Sequence, residues 1–236
     1  MQLLTAVAAH SEPVPAKVLA HEVGIPLGTA YHLLNTLAYD GYLDRFENGY
    51  MLGEVFLHMA PLDRFQLMLS TTQPLLEKVR SQLGAAAYLA LYRDGEIHVE
   101  SIVDSPQTPR VNEWADFSET AHATAFGKSI LAVLDKEDRL DYLSRHGLAP
   151  LTPRTITSSS DLMHELDRKH RGLFIDQEEY QVGTVCAAKP LCVSGITAAL
   201  AVSARARRLP EIARSGPVLT PIIKKLTRTL VLFGKL

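Results

Sequence analysis

Apolar spacing along the chain changes period several times, and each change marks an element. Residues 1–10 read as a short apolar helix. A second helix enters at Pro15, a favoured early position, and carries Leu19 and Val23 on one face with Val18 alongside. Gly24 ends it in the usual C-terminal role. Pro26 starts a third helix, 27–39, in which Ala30, Leu33, Leu34 and Leu37 fall at i, i+3, i+4 and i+7 and are assigned to the core. Gly41 stops it. "YLDRFENGYML" then reads as two short strands turning at Asn48-Gly49, where both residues would need positive φ. Helix, helix, turn, helix and hairpin within 1–53 make a winged helix-turn-helix.

Residues 54–83 keep a helical period, with breaks expected at Pro61 and Pro74, and 54–73 is assigned as a linker helix. From 74 to 236 the pattern alternates between periods. "AAAYLALYRDGEIHVESIV" is a hairpin around Asp94-Gly95, and "AHATAFGKSILAVLD" holds a helix starting near Thr124. Two further helices and three strands follow. A final helix, 217–231, aligns Leu219, Ile222, Ile223, Leu226 and Leu230. The fold class is α+β: a winged helix-turn-helix, a linker helix and a C-terminal α/β domain.

Composition is that of a soluble globular protein, 47% hydrophobic and 21% charged over 236 residues. Two cysteines, Cys186 and Cys192, are too few for a disulfide framework and fit a reducing cytoplasm. No apolar run is long enough to span a bilayer, so no membrane association is expected. Charge changes the picture more. Residues 1–60 hold two basic residues, Lys17 and Arg45, against six acidic ones. The helix 27–39 contains no Lys or Arg at all.

Opposite the core stripe, that helix presents Gly28, His32, Asn35 and Tyr39, with Tyr31 and Thr36 flanking. Such a face can still read DNA. Asn pairs with adenine in a bidentate way, hydroxyls reach phosphate or base edges, and a helix N-terminus binds phosphate through free N–H groups. The expected DNA-contact set is Gly28, Thr29, Tyr31, His32, Asn35 and, on the first wing strand, Arg45. The alternatives are a solvated polar helix face and a surface ion pair of Arg45 with Asp44 or Glu47. With few cations, non-specific binding should be weak and salt dependence shallow.

"GIPLGTAYHLLNTLAYDGYL", "NGYMLG", "AHATAFGKSILA", "LTPRTIT" and "DQEEYQVGTVCAAKPL", in this order and spacing, resemble the IclR family of bacterial transcription regulators over nearly the whole chain. The resemblance implies a GAF-like effector domain over 74–236, binding to a double-stranded DNA operator, and homodimers that pair into dimers of dimers. It implies control of a catabolic operon by a small organic-acid or aromatic metabolite, without a cofactor or metal. Two positions depart from the family pattern. Leu27-Gly28 stand where Lys-Ser is usual, with His32 at a usual Arg position, and Phe126 stands where Leu or a smaller residue is usual.

"HATAFGKS" turns from loop to helix around Thr124, leaving the N–H groups of Ala125 and Phe126 for a carboxylate. Positions carried across from the family make Val111, Ala125, Phe126, Asp176, Thr184 and Cys186 the expected effector lining. Cys186 is otherwise a small buried hydrophobe, and Phe126 plain core. Two rival classes stay open: a GAF-type thiol enzyme, and a redox or pH sensor switching at Cys186 or His32. No His is placed beside Cys186, and no Ser has a nucleophile-elbow context, so no catalytic residue is assigned.

Overall fold

The computed structural model describes residues 2–10, 12–57, 61–169, 172–193 and 195–233. These form two compact units. One holds the described residues up to Thr71 with those from Leu226 onward; the other is Thr72–Lys225.

In the first unit, α1 (Gln2–Ala8) buries Leu3, Leu4 and Val7. Helix α2 (Ala16–Val23) buries Leu19 and ends on Gly24 at φ 72°, a left-handed geometry that suits glycine. Helix α3 (Leu27–Tyr39) buries Ala30 and Leu34 completely. The expected core stripe is narrower than its spacing suggested. Leu33 lies about 80° round the helix from the Ala30–Leu34 line and is 42% exposed.

Strands β1 (Leu43–Phe46) and β2 (Gly49–Leu52) pair antiparallel with Phe46 opposite Gly49. The turn residues are therefore Glu47 and Asn48, neither with positive φ, and not Asn48-Gly49. Gly49 is required for a different reason. A Cβ there would lie 2.3 Å from the Val14 carbonyl carbon. Val14 bridges to Tyr50 through two backbone hydrogen bonds, 3.0 and 2.9 Å, and so adds a third extended segment to the wing.

Helix α4 (Glu54–Leu57) is short, and α5 (Pro61–Leu83) continues through Pro74. The expected break is absent. A mid-helix proline deletes one hydrogen bond, and a buried stripe at Thr72, Leu76 and Val79 spans the site and keeps the helix whole.

The second unit is a five-stranded antiparallel sheet in the order β4-β3-β7-β6-β5. Its strands are β3 (Ala86–Arg93), β4 (Glu96–Val103), β5 (Phe174–Gln177), β6 (Thr184–Val193) and β7 (Ile196–Arg205). The β3–β4 turn is the expected one, with Asp94 at φ 54° and Gly95 at φ 82°. Helix α6 (Ala125–Leu131) packs on the sheet and against α8 (Ser159–Lys169), and α7 (Lys136–His146) adds Tyr142 to the same core. Alanines 86, 90, 188, 199 and 201 line that core and let α6 approach. Gly127 is part of the same fit, since a Cβ there would lie 2.2 Å from the Ala121 carbonyl oxygen. Helix α9 (Leu209–Ile212) leads to α10 (Gly216–Val231), which buries Leu219, Ile222, Leu226 and Leu230. No helix among the described residues is long and apolar enough to cross a membrane.

Candidate functional site

The first candidate site is the outward face of α3 with the wing. Gly28, Thr29, Tyr31, His32 and Asn35 are all exposed, as is Tyr39 at 92%. Asn35 is oriented from behind: the Tyr50 phenol donates to its Oδ1 at 3.3 Å. That leaves the two amide N–H donors pointing away from the wing's phenol. Thr36 is spent differently, its hydroxyl donating to the His32 carbonyl at 3.0 Å. Arg45 sits exposed on β1, directly opposite Tyr50. Among the described residues it forms no ion pair, so the alternative pairing with Asp44 or Glu47 is not made. Leu27 and Leu33 on α3 and Phe46 on β1 are exposed apolar residues, and α3 itself carries no formal charge.

The second candidate site is a cavity of about 20 Å³ between the sheet and α6, room for roughly one water molecule. Tyr88, Phe117, Phe126 and Tyr180 supply rings; Val111, Ala201 and Val202 supply aliphatic wall; Thr124, Asp176 and Cys186 supply the polar atoms. Four of the six expected residues, Val111, Phe126, Asp176 and Cys186, therefore meet here. Ala125 and Thr184 do not. Ala125 is fully buried in the α6 packing, and Thr184 begins β6 beyond the cavity's edge, opposite Arg205.

Each polar group is held by its neighbours. Asp176 and Cys186 are cross-strand partners on β5 and β6. Asp176 is 1% exposed, and its Oδ1 accepts from the Glu179 N–H at 2.6 Å and the Tyr180 N–H at 3.4 Å. Burial, then the charge of Glu179, pushes its carboxyl up to about 7. Burial and the Asp176 charge push the Cys186 thiol well up. The Tyr88 phenol bonds Ser203 Oγ at 2.7 Å and accepts from the Val111 N–H at 2.8 Å; burial pushes it up to about 12. Thr124 caps α6, its Oγ1 accepting from the Gly127 N–H at 3.0 Å. The N–H groups of Ala125 and Phe126 are the first two of the helix and have no acceptor within it.

Behind Asp176 lies a buried ionic cluster that the sequence reading missed. Lys128 is fully buried, with Nζ 2.6 Å from Glu179, 3.0 Å from the Ile175 carbonyl and 3.4 Å from Glu165. Lys169 bonds Glu165 in turn at 2.8 Å. His122, in the same sequence motif, is buried too. Burial lowers its pKa, and its ring bonds the Ala149 carbonyl at 3.0 Å.

Comparison with known proteins accounts for both units. Residues 1–45 match the IclR helix-turn-helix domain and 60–230 match the bacterial transcriptional regulator IclR C-terminal domain. The p-hydroxybenzoate hydroxylase transcriptional activator of Acinetobacter baylyi is 28% identical over 189 residues, 77% of this chain and 70% of its own. The structure of Thermotoga maritima IclR superposes with a TM-score of 0.63 at 24% identity, over 97% of this chain and 96% of that one. The inducer-binding domain of PobR from Acinetobacter, a double mutant in complex with 3-hydroxybenzoic acid, superposes with a TM-score of 0.58 at 25% identity. It covers 68% of this chain and 97% of its own.

Proposed function

The chain belongs to the IclR family of bacterial transcriptional regulators and is a DNA-binding, ligand-responsive regulator; from that premise we propose how it divides the work. Residues 1–53 dock on an operator in the cytoplasm, 54–73 link, and 74–236 bind effector and pair subunits. As a homodimer it sets two α3 helices in successive major grooves, so operator half-sites lie about one helical turn, or a multiple of it, apart. Gly28, Thr29, Tyr31, His32 and Asn35 face the groove, and Arg45 takes a phosphate. The observation that carries this reading is the Tyr50–Asn35 bond beside Arg45, which forms no ion pair among the described residues: a base-reading amide fixed in place next to a cation of the wing.

The effector occupies the cavity at Asp176. A cavity of about 20 Å³ is smaller than an organic metabolite, so binding moves its walls, and that movement is what the DNA-binding unit senses. Coupling requires the effector to bind the DNA-competent and DNA-incompetent arrangements with different affinity. The cavity's chemistry supports binding rather than thiol catalysis, because a thiol with a raised pKa is a poor nucleophile.

Selection of duplexes from a random pool by the purified protein tests the DNA reading. An enriched, two-fold symmetric sequence is expected, bound less tightly by Asn35→Ala and Arg45→Ala. Enrichment of no sequence would overturn it.

A further inference from the structure

The cavity at Asp176 has one wall built differently from the rest. Strands β6 and β7 pair over ten residues, and β3 pairs with β7 over seven. Helix α6 is fixed by the close fit of Gly127 on Ala121 and by buried Lys128, bonded to Glu179 and the Ile175 carbonyl. Moving these elements breaks sheet pairing or the α6 packing. The remaining wall is Val111 and Phe117, the two buried residues of the irregular segment 109–119. All its other residues are half-buried or exposed.

Among the described residues, this segment makes no backbone–backbone hydrogen bond outside 109–120. Three phenols hold it instead. Tyr88 accepts from the Val111 N–H at 2.8 Å. Tyr180 accepts from the Ala115 N–H at 3.2 Å and donates to the Ala115 carbonyl. Tyr142 donates to the Ser118 carbonyl. The Tyr180 ring also packs against two residues of the segment, Phe117 at 5.0 Å and Trp114 at 5.9 Å. A surface segment tied by a few side-chain bonds opens at far lower cost than a paired sheet.

We propose that 109–119 is the gate of this cavity, swinging out with Val111 and Phe117 to admit a ligand, and that Tyr180 is its latch. On the reading above that the cavity is the effector site, this is the wall that binding moves. The latch is connected to the site: the Tyr180 N–H donates to Asp176 Oδ1 at 3.4 Å, so a ligand at Asp176 acts on the residue that holds the gate. Without the phenol, the closed gate leaves both polar groups of Ala115 unpaired, whereas in the open gate water pairs them. Removing it therefore favours opening.

Alkylation of Cys186 by iodoacetamide tests the gate. Cys186 lines a space of about 20 Å³, too small for the reagent, so its reaction reports opening. The full chain carries Cys192→Ser, which removes the exposed second thiol. Cys186 is expected to react at a rate nearly independent of low urea concentrations, because local opening exposes little surface; access by global unfolding depends on urea steeply. Tyr180→Phe keeps the ring and removes both bonds to Ala115. It should speed alkylation about tenfold and leave amide exchange in β3, β6 and β7 unchanged. Tyr142→Phe, outside the cavity lining, should act in the same direction. A rate that follows urea as steeply as exchange of the sheet amides, or that neither variant changes, overturns the gate; the urea dependence decides in the Cys192→Ser chain even if both tyrosine variants fold poorly. The effector reading fails separately: a compound that releases the operator without shielding Cys186 places the effector site elsewhere and leaves the gate in place.

Discussion

Tyr50 and Asn35 are joined within the first unit: the phenol of the wing residue donates to the carboxamide of the α3 residue over 3.3 Å. Tyr50 is itself 3% exposed and is bridged by its backbone to Val14, so the amide is held by a fixed point. Tyr50→Phe keeps the packing and removes the donor. Stability should change by about 0.5–1.5 kcal/mol, while discrimination against a substituted base pair under Asn35 should fall. Fluorescence anisotropy on matched and single-substituted operators measures the second effect separately from the first.

His32 stands exposed on a helix without Lys or Arg. His32→Ala should weaken specific binding by about 1–3 kcal/mol if it contacts a base. His32→Arg should tighten binding and steepen the log–log salt slope by about one phosphate equivalent. Titration at several salt concentrations gives both numbers. Equal slopes in wild type and His32→Arg would place this residue away from the DNA backbone.

Gly49 has no room for a side chain, with Val14 backbone atoms 2.3–2.7 Å from where a Cβ would stand. Gly49→Ala should separate Val14 from Tyr50 and cost about 1–3 kcal/mol by overpacking. Chemical denaturation reads the loss. Asn48→Ala, at a turn position without positive φ, should be far milder.

Asp176 makes stability depend on pH. Its carboxyl stands at about 7 in the folded chain, for burial first and the Glu179 charge second, against about 3.9 unfolded. A raised acid pKa means that the folded chain holds a proton the unfolded chain gives up. The contribution is fully present below about pH 4 and is lost as pH rises through about 7. Asp176→Asn keeps an acceptor for the Glu179 and Tyr180 N–H groups and removes the titration. The stability difference between wild type and variant should change across that window with a slope approaching about 1.4 kcal/mol per pH unit. A pH-independent difference would contradict the raised value.

Lys128 and Glu179 form a buried pair whose members depend on each other. Lys128→Met leaves Glu179 without its closest cation and should cost about 3–5 kcal/mol. Adding Glu179→Gln should recover part of that loss. A double-mutant cycle on unfolding free energies gives the coupling.

Legibility from sequence followed the range of the interactions. Helices α2 and α3, the Asp94-Gly95 turn and strands β3 to β7 are set by local period and turn chemistry, and these could be read. Pro74 could not, because the buried stripe at Thr72, Leu76 and Val79 overrides its local preference. The wing turn misled for a related reason: Gly49 answers to Val14, thirty-five residues earlier, not to the turn beside it. In the cavity, Phe126, Asp176 and Cys186 lie on motifs that carry the family resemblance, as does Tyr180, and Val111 is a position the resemblance carries across. Tyr88 and Phe117 come from a strand and a loop outside those motifs and join the others only in three dimensions. Tyr88 had a signal, since it alternates with Tyr92 on one face of β3. Lys128 had none, because a lysine in a helix reads as surface until its two glutamates are placed.

The uncharged recognition helix also bears on how the regulator finds its site. Attraction to random sequence comes from phosphates, and here few cations offer themselves to it. The chromosome then acts as a weak sponge, each non-specific encounter ends quickly, and sliding tracks are short. Search proceeds by repeated arrival from solution, at a slower rate than a basic protein steered by the field of the duplex. A larger share of the protein is then expected free in solution, where a change in effector level acts on it directly.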